Sequence, residues 1–144
     1  MEQDKLPVIR LWNHILVPLQ GDIHDGLASR LRDKVLEDIR AFGAHGLIID
    51  VTGVWTLDSH LCSVLSDIAA CARLMGTLTI ICGMSAEAAM TLQMMDIDLS
   101  SMKTALSVEE AFESLGVRPQ KPAPAPQRRK LVFQIKPMPK GERR

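Results

Sequence analysis

The chain has 144 residues, 47% of them hydrophobic, which is material for one packed domain plus an appendage and excludes disorder throughout. No apolar run approaches the roughly 18 residues that a membrane-spanning helix needs, and Met1-Glu2-Gln3-Asp4-Lys5 lacks the apolar segment of a signal peptide, so a soluble cytoplasmic protein is expected. The net charge of zero hides an asymmetry: residues 1–117 carry 8 basic and 16 acidic side chains, whereas residues 118–144 carry 9 basic ones and one acid, Glu142.

In chain order, Val8 to Trp12 and Ile15 to Leu19 are short apolar runs separated by Asn13-His14, which predicts a hairpin at the start of a sheet. Pro18 cannot donate to a ladder, which predicts an edge position or a strand end there. A polar turn from Gln20 to Gly26 follows, and then Leu27, Leu31, Val35, Ile39 and Phe42 form one stripe of an amphipathic helix ending at Gly43. Gly46 to Val51 is nearly continuous in apolar residues, as expected of a central strand covered on both faces, with a loop through Gly53, Val54 and Trp55 after it.

From Ser59 to Met75, Leu61, Val64, Leu65, Ile68, Ala72 and Met75 stand at helical spacing, and Gly76 closes the helix. Leu78 to Cys82 reads as a strand, Ser85 to Met95 as an Ala- and Met-rich helix, and Met102 to Ala105 as a short last strand. Ser107 and Glu110 have capping-box spacing before the stripe Val108, Ala111, Phe112 and Leu115. The order β-β-α-β-α-β-α-β-α predicts an α/β fold: a mixed, mostly parallel sheet with an N-terminal hairpin, right-handed crossovers and four helices. Residues 1–117 form that domain, with a boundary near Gly116.

Six of the eight prolines lie after position 117, so residues 118–144 read as a Pro-rich basic tail, a flexible appendage unable to bury a core. Two other uses of the tail are open. Arg128-Arg129-Lys130 followed by Leu131 to Ile135 suits docking on a sheet edge or an acidic neighbour. Nucleic-acid binding is disfavoured because Phe133 is the tail's one ring and the body is acidic.

Several chemistries find no motif. Neither Gly-x-Gly-x-x-Gly nor P-loop spacing occurs, so no nucleotide cofactor is expected. His14, His24, His45 and His60 are scattered, and Cys62, Cys71 and Cys82 lack ligand spacing, so no metal is expected and buried reduced thiols are. Ser59 and His60 are adjacent, and helix neighbours point about 100° apart, which weakens a hydrolase reading. The eight methionines, with Met90, Met94, Met95 and Met102 close together, read first as core and second as an adaptable partner surface. At Trp55-Thr56-Leu57-Asp58-Ser59-His60-Leu61 a polar pair interrupts two apolar patterns where a loop hands over to a helix; Asp58 or Ser59 caps that helix, or the pair faces a partner.

Asp50-Val51-Thr52-Gly53-Val54, followed after three residues by Asp58-Ser59, resembles the signature of STAS domains, anti-sigma-factor antagonists in which that serine is phosphorylated by a cognate kinase. The resemblance runs from about Val8 to Leu115 and is nearest the RsbS-like stressosome branch. Leu74-Met75-Gly76, Ala89-Met90-Thr91-Leu92 and Thr104-Ala105-Leu106 support it in order. Many members carry a small residue and a glycine after the acceptor where this chain has His60-Leu61, and the RsbS-like branch also places a larger ring there. An acidic residue is frequent at the position of His24, which Asp22 and Asp25 flank here.

The resemblance implies a non-enzymatic phospho-switch and scaffold in bacterial stress signalling, assembling with RsbR-type sensor paralogues that carry STAS domains into homo- and hetero-oligomers. It further implies an RsbT-type GHKL switch kinase, released when Ser59 is phosphorylated, a cognate phosphatase, and Asp58, His60, Asp22 and Asp25 at the partner surface. No membrane or nucleic-acid partner is implied. The alternatives are a stand-alone antagonist of one anti-sigma kinase, and, in a different class, a small hydrolase or transferase using Ser59 with a distant histidine.

Overall fold

The computed structural model describes residues 6–117, so the readings of the tail over 118–144 lie outside the described residues. β1 (Ile9–Leu11) pairs antiparallel with β2 (His14–Gly21); α1 (Asp25–Phe42), β3 (Gly46–Val54), α2 (Ser59–Leu74), β4 (Leu78–Cys82), α3 (Ala86–Met94), β5 (Met102–Ala105) and α4 (Val108–Ser114) follow. The sheet order is β1-β2-β3-β4-β5, with β2 to β5 mutually parallel, so the predicted α/β class and element order hold.

Alternation along the strands sorts the core into two layers. Ile15, Val17 and Leu19 of β2, Leu47, Ile49 and Val51 of β3, and Ile81 of β4 pack against Leu27, Leu31, Val35 and Ile39 of α1 and Leu61, Leu65 and Ile68 of α2. On the opposite face, Ile48, Ile80 and Cys82 meet Ala111 of α4, with Leu16, Val108, Phe112 and Leu115 at the margin. β3 is apolar on both sides because helices cover both.

Two local expectations change. The hairpin turn is Trp12-Asn13 instead of Asn13-His14: Leu11 pairs with His14, Trp12 takes a φ of 53°, and its ring stands edge-on to Phe112 at 6.1 Å. Pro18 pairs with Asp50 of β3 and stands, as expected, at an edge position on its other side, because β1 reaches only as far as Leu16 and demands no N–H from it. β3 also runs to Val54, through the segment read as a loop, because its register against β2 shifts between Pro18 and Gln20. Gln20 faces Gly53, so β3 carries one extra residue there.

His14 is 8% exposed, its ring lies 6.1 Å from that of Phe112, and its Nδ1 has no hydrogen-bond partner among the described residues. Burial, and secondarily the charge of His45, lowers its pKa below the usual histidine value. Below about pH 6.5 the unfolded chain therefore binds a proton that the folded chain resists, and stability falls with pH. Thermal midpoints measured from pH 8 down to pH 5.5 should drop more steeply for the native chain than for His14→Gln; equal slopes would contradict this account.

Candidate functional site

Because β2 to β5 are parallel, the loops that follow them converge at one end of the sheet. Every helix starting there has a capped N-terminus: His24 Nδ1 accepts from Leu27 N at 3.1 Å, Asp58 Oδ1 from Leu61 N at 2.7 Å, Ser85 Oγ from Ala88 N at 3.1 Å and Ser107 Oγ from Glu110 N at 3.2 Å. The capping box of α4 closes one residue early, with Glu110 Oε2 accepting from Leu106 N at 2.7 Å.

Of the two residues competing for the cap of α2, Asp58 takes it. Ser59 is the first residue of the helix, exposed, and its hydroxyl makes no hydrogen bond among the described residues. A free hydroxyl beside the positive end of an 16-residue helix can accept a phosphate without displacing an internal contact. Among the described residues no histidine hydrogen-bonds to it.

The structure brings Asp25 and His60 together across the starts of α1 and α2, with Asp25 Oδ1 3.9 Å from His60 Nε2. Both are exposed, so the pair is an electrostatic contact only while the imidazole is protonated, and a weak one. Asp22 is exposed in the loop before α1. Asp22, Asp25, Asp58 and His60 thus share the end of the molecule that holds Ser59, with no Lys or Arg between Arg40 and Arg73.

The device that aims this loop was not read from the sequence. Asp50 Oδ1 accepts from Thr52 N at 3.0 Å and from Thr52 Oγ1 at 2.6 Å, closing the irregularity of β3 as an Asx turn. Beyond it, Trp55 N donates to Gly21 O at 3.0 Å, which fixes the exit of the chain toward Ser59. Gly83, with a φ of 78°, packs its backbone against Thr52 Oγ1 and Asp50 Oδ1 so closely that a Cβ would overlap them. Burial, and next the charge of Asp50, pushes the Cys82 thiol up to about 12, and burial with Asp58 pushes Cys62 to about 11; both stay as neutral thiols. The signal available in the sequence was an acid, Asp50, ending an apolar run.

A cleft of about 200 Å³ opens between the β3–α2 and β4–α3 loops, with Trp55, Leu57, Met84 and Thr91 in its walls. Trp55 itself is 82% exposed. Of the methionine cluster, Met90 and Met94 on α3 are exposed while Met102 borders the core, so core packing accounts for only part of it. Among the described residues no group of three His, Cys, Asp or Glu side chains is placed to hold a metal, and no helix is long and apolar enough to cross a membrane.

This fold, with an unengaged serine opening the second helix, is that of a STAS domain: the STAS domain family model matches residues 6–111, and the chain belongs to that family. It is 29% identical over 103 residues to the RsbT co-antagonist protein RsbRD of Bacillus subtilis, a match that takes in 72% of this chain and 37% of that protein. The chain therefore spans well under half the length of that relative. Among solved structures, a serine-to-glutamate variant of Moorella thermoacetica RsbS superposes with a TM-score of 0.71 at 24% identity, covering 78% of this chain and 95% of that one. A chain from the molecular architecture of the stressosome, a signal integration and transduction hub, gives a TM-score of 0.66 at 25% identity, over 76% and 96% of the two chains.

Proposed function

We propose that the chain is a non-enzymatic phospho-switch and scaffold subunit of a stressosome-like complex in bacterial stress signalling. It holds a serine/threonine switch kinase of the RsbT type and releases it when Ser59 is phosphorylated; a cognate phosphatase resets the state. The observation that carries this reading is Ser59: exposed, uncommitted to any hydrogen bond among the described residues, and fixed at the start of α2 by a neighbouring residue that does the capping. Similarity to an RsbT co-antagonist and to a stressosome chain supports the choice of partners. Phosphorylation would add about 1.5 to 2 negative charges to an end that already presents Asp22, Asp25 and Asp58.

Assembly in the cytoplasm with RsbR-type paralogues belongs to the same proposal. Light scattering of the pure chain, and of its mixture with an RsbR-type paralogue from the same organism, should show a large mixed particle. Monomers in both samples would remove the scaffold role, and a small one-to-one complex with the kinase alone would point to a stand-alone antagonist.

A further inference from the structure

We propose that Trp55 is the anchor on which the kinase acting at Ser59 docks, an inference that rests on reading Ser59 as the acceptor. Trp55 is 82% exposed, although a tryptophan side chain offers about 150 to 250 Å² of surface for burial. Folding does not explain that exposure. The other tryptophan, Trp12, leans on Phe112, whereas Trp55 makes no ring contact among the described residues.

Its backbone is nevertheless held. Trp55 N donates to Gly21 O at 3.0 Å directly after β3, and the turn closed by Asp50 and Thr52 lies just before it. The side chain is thus presented from an ordered support, which lowers the entropy lost when a partner covers it.

Its position then identifies the partner. Trp55 lies four residues before Ser59, so the two are no more than about 14 Å apart along the chain. A protein–protein patch of ordinary size is on the order of 30 Å across, and a kinase whose active site reaches the Ser59 hydroxyl covers Trp55 as well. The adjoining cleft of about 200 Å³, with Leu57 and Met84 in its wall, has room for one side chain of the partner and falls short of the roughly 300 Å³ at which small-molecule sites begin. Charge constrains the kinase further. No residue in 20–26, 54–60 or 83–88 is Lys or Arg, while Asp22, Asp25, Asp58 and Glu87 are exposed, so the complementary rim is basic around an apolar pocket that takes the indole.

The test uses the full chain and the purified RsbT-type switch kinase of the same organism. In a Trp12→Phe background carrying fluorotryptophan at position 55, fluorine NMR should show that resonance shift and lose its solvent sensitivity on adding the kinase. Trp55→Ala should weaken kinase binding about 30-fold and raise KM for phosphorylation of Ser59, with kcat and the thermal midpoint unchanged; Trp55→Phe should fall between. Wild-type affinity of Trp55→Ala with an unmoved fluorine signal overturns the anchor alone, as does a loss confined to kcat. A kinase that neither binds the unaltered chain nor labels Ser59 overturns the acceptor reading and the anchor with it.

Discussion

Ser59→Ala should abolish phosphate incorporation by the switch kinase while leaving the fold and kinase binding intact. Asp58, and not Ser59, caps α2, so losing this exposed hydroxyl costs no more than about 0.5 kcal/mol, the usual scale of a surface change. Asp58→Ala removes the cap and should cost about 0.5 to 2 kcal/mol, which separates a structural effect from a signalling one. Ser59→Glu supplies one negative charge against the roughly 1.5 to 2 of a phosphate and should weaken kinase binding, most clearly at low salt where screening is least. No Lys or Arg lies in 54–60 or elsewhere in α2 before Arg73 of its last turn, so the added charge meets no Lys or Arg near Ser59 on its own helix. Ser63, exposed one turn further along α2, is the control; Ser66 is not equivalent because its Oγ donates to Asp98 O at 2.8 Å. Radiolabelled ATP, mass spectrometry and binding of the kinase to each variant decide the matter. Label retained by Ser59→Ala, or undiminished kinase affinity of a chain fully phosphorylated at Ser59, would dismiss Ser59 as the switch.

The second large effect is structural and falls on Gly83. Its φ of 78° is unfavourable for a residue with a side chain, and a methyl group there would run into Thr52 Oγ1 and Asp50 Oδ1. Gly83→Ala therefore combines backbone strain with overpacking, about 2 to 4 kcal/mol together, which lowers the thermal midpoint by roughly 10 °C or more in a domain of this size. Gly76 has a φ of 85° and open space around the corresponding position, so Gly76→Ala carries strain alone, about 1 kcal/mol. Calorimetry of the two variants separates the contributions: equal midpoints would show that the contact with Thr52 is dispensable. A displaced Thr52 would also loosen the turn that leads to Trp55, so Gly83→Ala should slow phosphorylation of Ser59 beyond its loss of folded population.

The contrast between Ser59 and Gly83 shows what was legible in the residues. Elements with a strong period, such as the stripe from Leu27 to Phe42 and the apolar run at Gly46, appear as α1 and β3 because burial on one or two faces dictates composition residue by residue. Ser59 stands out through its neighbours, since the spacing from Asp50 to Asp58-Ser59 resembles a family pattern; position alone leaves the cap of α2 open between Asp58 and Ser59, and the structure gives it to Asp58. The Asx turn at Asp50 and Thr52 and the approach of Gly83 were not legible. Gly83 meets Thr52 and Asp50 from more than 30 positions away, which no local pattern encodes, and the Asx turn, though it spans only two residues, interrupts a run whose apolar pattern reads as plain strand. Pro18 was legible as an edge position because a residue without an N–H needs a side that no partner strand occupies, and β1 stops short of it.

Leu115, at the end of α4, crowds the first residue of β3, since a Cβ on Gly46 would sit 2.6 Å from its Cδ1. The described chain therefore departs, at Val117, from the opposite pole to the one bearing Ser59, with the nine residues of β3 between them, a distance of about 30 Å at 3.3 Å per residue. That is some three Debye lengths at ordinary ionic strength, so a charge placed at the Val117 pole is largely screened from the pole that bears Ser59. A fluorophore, a surface tether or a neighbouring subunit joined there leaves Ser59 open to solvent, and both poles can be occupied at once.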